Sequence, residues 1–167
     1  MNERFPWDDD YEDTLSIGRW EGRCRSVLKG KPWQRIMAEL ERALLLLPHK
    51  RLISGTLCDG TGVCSQGAMA YRRLVDSGVT PRDAWKQVKR ANHRKYDVVD
   101  ATLAYATKHP WGCVAYATKH LGMTETASVL VAQHNDGTLG RLWNSSITPE
   151  ERYTGMLRWA RQQLRKA

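Results

Sequence analysis

The stretch 32–47 constrains the fold of this chain more than any other. Pro32 stands where a first helical position tolerates a missing amide, and Pro48 stops the run. Between them Trp33, Ile36, Met37, Leu40, Ala43, Leu44 and Leu47 recur at three- and four-residue steps. That spacing puts seven apolar side chains on one stripe of a helix, and such a stripe has to be buried against other elements. The rest of the chain must therefore assemble around it.

The length suffices for that. A chain of 167 residues buries about two-thirds of the surface its unfolded state exposes, so neither disulfides nor a metal is required for a stable core. Its 41% apolar content rises to about half with the thirteen glycines, which excludes a disordered tail. We expect a single globular helical domain over residues 14–167, preceded at 1–13 by an acidic, flexible arm.

Other segments supply helical partners. Ile17, Trp20, Cys24, Val27 and Leu28 mark a helix over 15–29, weakened by Gly18 and Gly22. Ala68, Met69, Leu74 and Val75 predict one ending at Gly78, and Thr80-Pro81 opens another. Thr124 caps a helix through Ala127, Val129, Leu130, Val131 and Ala132, with Asn135 as its left-handed C-cap and Asp136-Gly137 as the turn after it. Thr148-Pro149-Glu150-Glu151 forms a capping box at the start of the last helix, whose buried stripe is Tyr153, Leu157, Ala160 and Leu164. Between the second and third helices, a β-rich run ends in Asp59-Gly60-Thr61-Gly62 and resumes at Val63, which reads as a hairpin over 51–65. The expected fold is mainly α, with about six helices packed around one short β-hairpin.

A local duplication lies in the second half. Ala104-Tyr105-Ala106-Thr107-Lys108-His109 recurs as Ala115-Tyr116-Ala117-Thr118-Lys119-His120, with His109-Pro110-Trp111-Gly112 across the join. The proline splits the region into two short helices, and two copies are too few for a solenoid.

Charge is unevenly placed. Lys and Arg number 26 against 18 Asp and Glu, a net +8. Residues 1–13 hold six acids and one base, so the remainder carries +13. Much of that excess falls on single helix faces. Over 82–93, Arg82, Lys86, Lys89 and Arg90 share the side opposite Ala84, Trp85, Val88 and Ala91, and Arg94 and Lys95 extend the row. Arg19 and Arg23, with Arg25, Lys29 and Lys31, make a second strip, and Arg158 and Arg161, with Arg165 and Lys166, a third. Such strips displace counterions from a phosphate backbone, so the expected partner is a nucleic acid or a nucleoprotein complex. Sequence reading by a helix-turn-helix over 82–106 is disfavoured, because its second helix would offer Asp97 and Asp100 to the groove.

Catalytic and metal chemistries are weaker expectations. Cys58 and Cys64 are too widely spaced for a usual zinc pair, and no metal or other cofactor is expected. Gly60-Thr61-Gly62 lacks the lysine of a phosphate-binding loop. An enzyme remains the alternative: Cys64, just before a helix N-terminus, as a nucleophile, or His134-Asn135-Asp136 as a nuclease cluster. No apolar run exceeds the five residues Ala43 to Leu47, so no membrane partner is expected, and the N-terminus lacks a secretory apolar region. Four cysteines are then expected as free thiols in a cytoplasm.

Four segments carry a resemblance. Lys50-Arg51-Leu52-Ile53-Ser54-Gly55, Val63-Cys64-Ser65-Gln66-Gly67-Ala68, Asn135-Asp136 and Thr148-Pro149-Glu150-Glu151-Arg152 resemble the motifs of a family of small tailed-bacteriophage and prophage proteins. The resemblance spans about residues 33–164, without the repeat. The family has no established activity. It implies a phage accessory protein in the cytoplasm of a bacterial host, where an inhibitor of host defence, the anti-CRISPR type included, is among the roles that fit a basic binding protein. A virion or assembly component whose basic faces meet packaged DNA is a further alternative.

Overall fold

The computed structural model describes residues 14–59, 61–92, 112–136 and 147–165. Seven helices run through them in order: α1 (Thr14–Leu28), α2 (Lys31–Leu45), α3 (Ser65–Asp76), α4 (Pro81–Asn92), α5 (Gly112–His120), α6 (Glu125–Asp136) and α7 (Pro149–Arg165). The molecule is mainly α, as its periodicity predicts. The 1–13 arm and the first copy of the repeat lie outside the described residues, and the second copy falls within α5.

The α2 stripe is the spine of the core. Trp33, Met37, Leu40, Ala43 and Leu44 are buried, and α2 packs chiefly on α7 and α3. From α7 come Tyr153, Met156 and Ala160. Trp159 sets its ring edge-on to Trp33 at 5.7 Å. From α3 come Ala68 and Met69. Arg73 on α3 ties three elements at once: it forks onto the Glu39 carboxylate of α2 and donates to the Leu121 carbonyl beyond α5 at 3.0 Å. Helix α6 is buried nearly all round, lying against α5, α1, α3 and α7.

Helix starts follow the capping chemistry. The Thr148 amide donates to Glu151 Oε2 at 2.8 Å and the Glu151 amide to Thr148 Oγ1 at 3.2 Å, the reciprocal pair of a capping box. At α4 the Asp83 amide donates to Thr80 Oγ1 at 3.2 Å and the Thr80 hydroxyl to Asp83 Oδ2 at 2.9 Å, and Thr124 Oγ1 accepts the Ala127 amide at α6. The amide and hydroxyl of Thr148 hold Glu151 below the ordinary carboxylate range, and Thr80 and Lys86 do the same for Asp83.

The expected hairpin over 51–65 is corrected. What forms there is one antiparallel bridge, Cys58 to Val63. The backbone of the first run is shared between partners: Ile53 N donates to the Val63 carbonyl at 3.0 Å, but Leu52 N donates to the Pro149 carbonyl at 3.0 Å and Gly55 N to the Asp136 carboxylate at 3.3 Å, which takes the run away from a continuous ladder. Gly55, at φ 75, turns the chain out of extended geometry. The turn itself is built as the sequence implies. Asp59 Oδ1 accepts from the amides of Thr61 (2.6 Å) and Gly62 (2.9 Å). Burial pushes Asp59 up, but these bonds, with Lys89 nearby, bring its carboxyl below the usual range.

Helix α3 starts three residues before the first apolar position that predicted it. Its N-cap is Cys64, whose sulfur accepts the Gly67 amide at 3.4 Å. Asn135 and Asp136 are likewise corrected. They are the last residues of α6, in helical conformation, and Asn135 is buried rather than a left-handed cap.

Candidate functional site

Two places in the molecule concentrate polar side chains in different ways. The first is the outer face of α4. Ala84, Val88 and Ala91 are buried, and Trp85 lies edge-on to Tyr71 of α3 at 5.9 Å. The helix is thereby anchored on α3, with α5 as a lesser support. Arg82, Lys86, Lys89 and Arg90 are all exposed. Only Lys86 makes an ion pair within that helix among the described residues, to Asp83 at 3.3 Å. Exposed pairs of this kind are weak and salt-sensitive, so the face stays strongly positive. Arg94 and Lys95 lie outside the described residues.

The other predicted cations are exposed as well, on other supports. Arg19 and Arg23 project from α1, which lies on α6 and α2, and Arg158 and Arg161 from α7, which lies on α2 and α6. Arg161 is engaged with the Glu41 carboxylate at 2.7 Å. None of these helices packs extensively on α4.

The second place is a buried junction at the N-terminus of α3, and sequence reasoning missed it. Asn135 is its hub. Its Oδ1 accepts the Ser65 amide at 3.0 Å, its Nδ2 donates to the Ile53 carbonyl and to Asp136 Oδ1, each at 2.8 Å, and its own carbonyl accepts from the Arg152 guanidinium at 2.9 Å. Gln66 adds a bond from Nε2 to the Ser128 carbonyl at 2.8 Å. A Cβ on Gly67 would stand 2.1 Å from the Leu57 carbonyl oxygen, so this position admits only glycine. Arg51 pairs with Glu150 at 2.7 Å. Four segments distant along the chain thus meet at this junction: 50–55, 63–68, 135–136 and 148–152.

A narrow cleft opens on this junction, lined by Gly55, Cys64, Ser65, Gln66, Cys113, Ala132, Asn135 and Asp136. Its empty volume is ≈ 250 Å³ with the open solvent at its mouth included, and ≈ 10 Å³ of this is room for the centre of a water-sized molecule. It holds no organic substrate of ordinary size. Cys64 Sγ and Cys113 Sγ stand 3.8 Å apart in it.

His134 and Asp136, paired in the nuclease reading, serve different contacts. The His134 ring stacks on Trp159 of α7 at 4.1 Å, and burial lowers its pKa to about 4. The Asp136 carboxylate instead receives Gly55 N and Asn135 Nδ2. Among the described residues no group of three or more His, Cys, Asp or Glu side chains could hold a metal ion, and no helix is long and apolar enough to cross a membrane. No protein-family model, curated protein or solved structure matches the chain.

Proposed function

We propose that this protein is a non-enzymatic accessory protein that binds a polyanionic host target, a nucleic acid or a nucleoprotein machine, through the basic face of α4. The observation that carries this reading is the sidedness of α4: Arg82, Lys86, Lys89 and Arg90 are exposed on a helix whose other face is buried on α3. A one-sided row of cations displaces counterions from a phosphate backbone without needing to read base edges. The phage setting implied by the resemblance makes the target a component of the bacterial host, such as its transcription, replication or defence apparatus.

Fluorescence anisotropy with labelled duplex DNA, single-stranded DNA and RNA tests this directly. Replacing Arg82, Lys86, Lys89 and Arg90 by Glu abolishes binding to the preferred nucleic acid, with the circular dichroism spectrum unchanged. Equal binding by the wild-type and charge-reversed proteins, or no binding by either, overturns the reading of α4 as a nucleic-acid face.

A further inference from the structure

The two thiols in the cleft play no part in the reading of α4. We propose that Cys64 and Cys113 form a peroxide-reactive dithiol site, in which Cys64 is oxidised by hydrogen peroxide entering the cleft and Cys113 resolves it to a disulfide. Three observations carry this. The sulfurs are 3.8 Å apart, so a small side-chain movement brings them to bonding distance. Both line a cleft open to solvent, at 4% and 7% exposure, whose free space suits a molecule the size of water or hydrogen peroxide and excludes bulky disulfides. Finally, Ser65 Oγ and Gln66 Oε1, on residues that line the same cleft, are buried without hydrogen-bond partners among the described residues. A peroxide satisfies both as donor and acceptor.

The two sulfurs are not equivalent. Cys64 is the N-cap of α3, and the Gly67 amide is aimed at its sulfur, where negative charge resides during attack. Cys113 sits in the first turn of α5. Its hydrogen bond with Cys64 and its burial push its thiol well up, which suits the later, resolving role. In the first step the Cys64 sulfur bonds one peroxide oxygen, the O–O bond breaks, and the other oxygen leaves as water with the thiol proton. Cys64 is now a sulfenic acid, oxidised by two electrons that the peroxide has taken up. In the second step the Cys113 sulfur attacks the Cys64 sulfur, the S–O bond breaks, and hydroxide leaves with the Cys113 proton as a second water. Two thiols and one hydrogen peroxide thus yield one disulfide and two waters.

The other thiols are internal references. Burial raises Cys24 to about 12, and burial together with Asp59 raises Cys58 to about 11. The test treats the fully reduced full-length chain with one equivalent of hydrogen peroxide, alkylates the remaining thiols, and maps the peptides by fragmentation mass spectrometry. A Cys64–Cys113 linkage is expected, with Cys24 and Cys58 alkylated. In Cys113→Ala, Cys64 accumulates as sulfenic acid that dimedone traps. In Cys64→Ser, which keeps an oxygen at the N-cap, oxidation of Cys113 slows at least about tenfold. Oxidised glutathione forms the disulfide far more slowly than peroxide does. A Cys58–Cys64 linkage, first oxidation at Cys24, unchanged oxidation of Cys113 in Cys64→Ser, or equal rates with glutathione disulfide each overturns the proposal.

Discussion

The α3 junction and the α4 face hold comparable numbers of polar groups and use them in opposite ways. At the junction Asn135, Gln66 and Ser65 are buried and reach partners far along the chain: Ser65 to Asn135 spans 70 residues, Asn135 to Ile53 spans 82. On α4, Arg82, Lys86, Lys89 and Arg90 face solvent, and the one ion pair made within the helix, Lys86 to Asp83, joins neighbours three residues apart. A buried polar group left without its partner carries the full cost of desolvation, whereas an exposed charge is already hydrated. The junction should therefore govern stability and be nearly silent in binding. The α4 face should do the reverse.

The largest expected effect is at Gly67. Gly67→Ala forces a carbon into the Leu57 carbonyl, where only backbone movement gives relief. It should cost at least about 4 kcal/mol, read as loss of a cooperative thermal transition or a much lower Tm. Next is Asn135→Leu, which keeps the side-chain branching and heavy-atom count and strands the Ser65 amide and the Ile53 carbonyl. A loss of about 3 kcal/mol, or about 10 °C in Tm, is expected in denaturant and thermal melts. An unchanged Tm in either variant would break the comparison on its stability side.

His134 sharpens it through pH. The unfolded histidine takes up a proton near 6.5, while the folded one stays neutral down to about 4. Between those values the unfolded chain binds more protons, so the stabilisation is fully present above pH 6.5 and is lost as pH falls towards 4. Full expression of that shift is worth about 3 kcal/mol. In His134→Phe, which retains a ring against Trp159, the melting temperature should vary far less over this window. The capping carboxylates Glu151 and Asp83 do not confuse the result. Both are held below the ordinary carboxylate range, so their contribution begins to fall only as pH nears the ordinary values of 4.5 and 3.8, and the His134 comparison is read above about pH 5.

Legibility in the sequence follows the same division. The α2 stripe, the Thr148 capping box, the Thr80 cap and the sidedness of α4 are all local patterns, fixed by residues three or four apart, and each is found where the periodicity predicts it. The junction is not local. Asn135 followed by Asp136 and Gly137 has the composition of a helix stop, and cysteine is not a favoured N-cap, so neither announces a tertiary bond. The 51–65 run has β-like composition, but Leu52 and Gly55 give their amides to Pro149 and Asp136, which no short-range pattern reveals. One signal was available: glycine at 67, inside a helical stretch, marks a close backbone approach.

The smallest expected effect on stability belongs to α4. Replacing its four cations by Glu should shift the Tm by no more than a few degrees, because all four side chains are exposed. Its effect on association should be the largest of all, and the salt dependence of binding measures it most directly. Four phosphate contacts give log K against log salt a slope of about −3.6 on duplex DNA and about −2.8 on a single strand. The account predicts that slope for the wild-type protein on its preferred nucleic acid, and a slope near zero with lost affinity in the charge-reversed variant of equal Tm. A flat salt response in the wild type, or the same slope in both proteins, would contradict it.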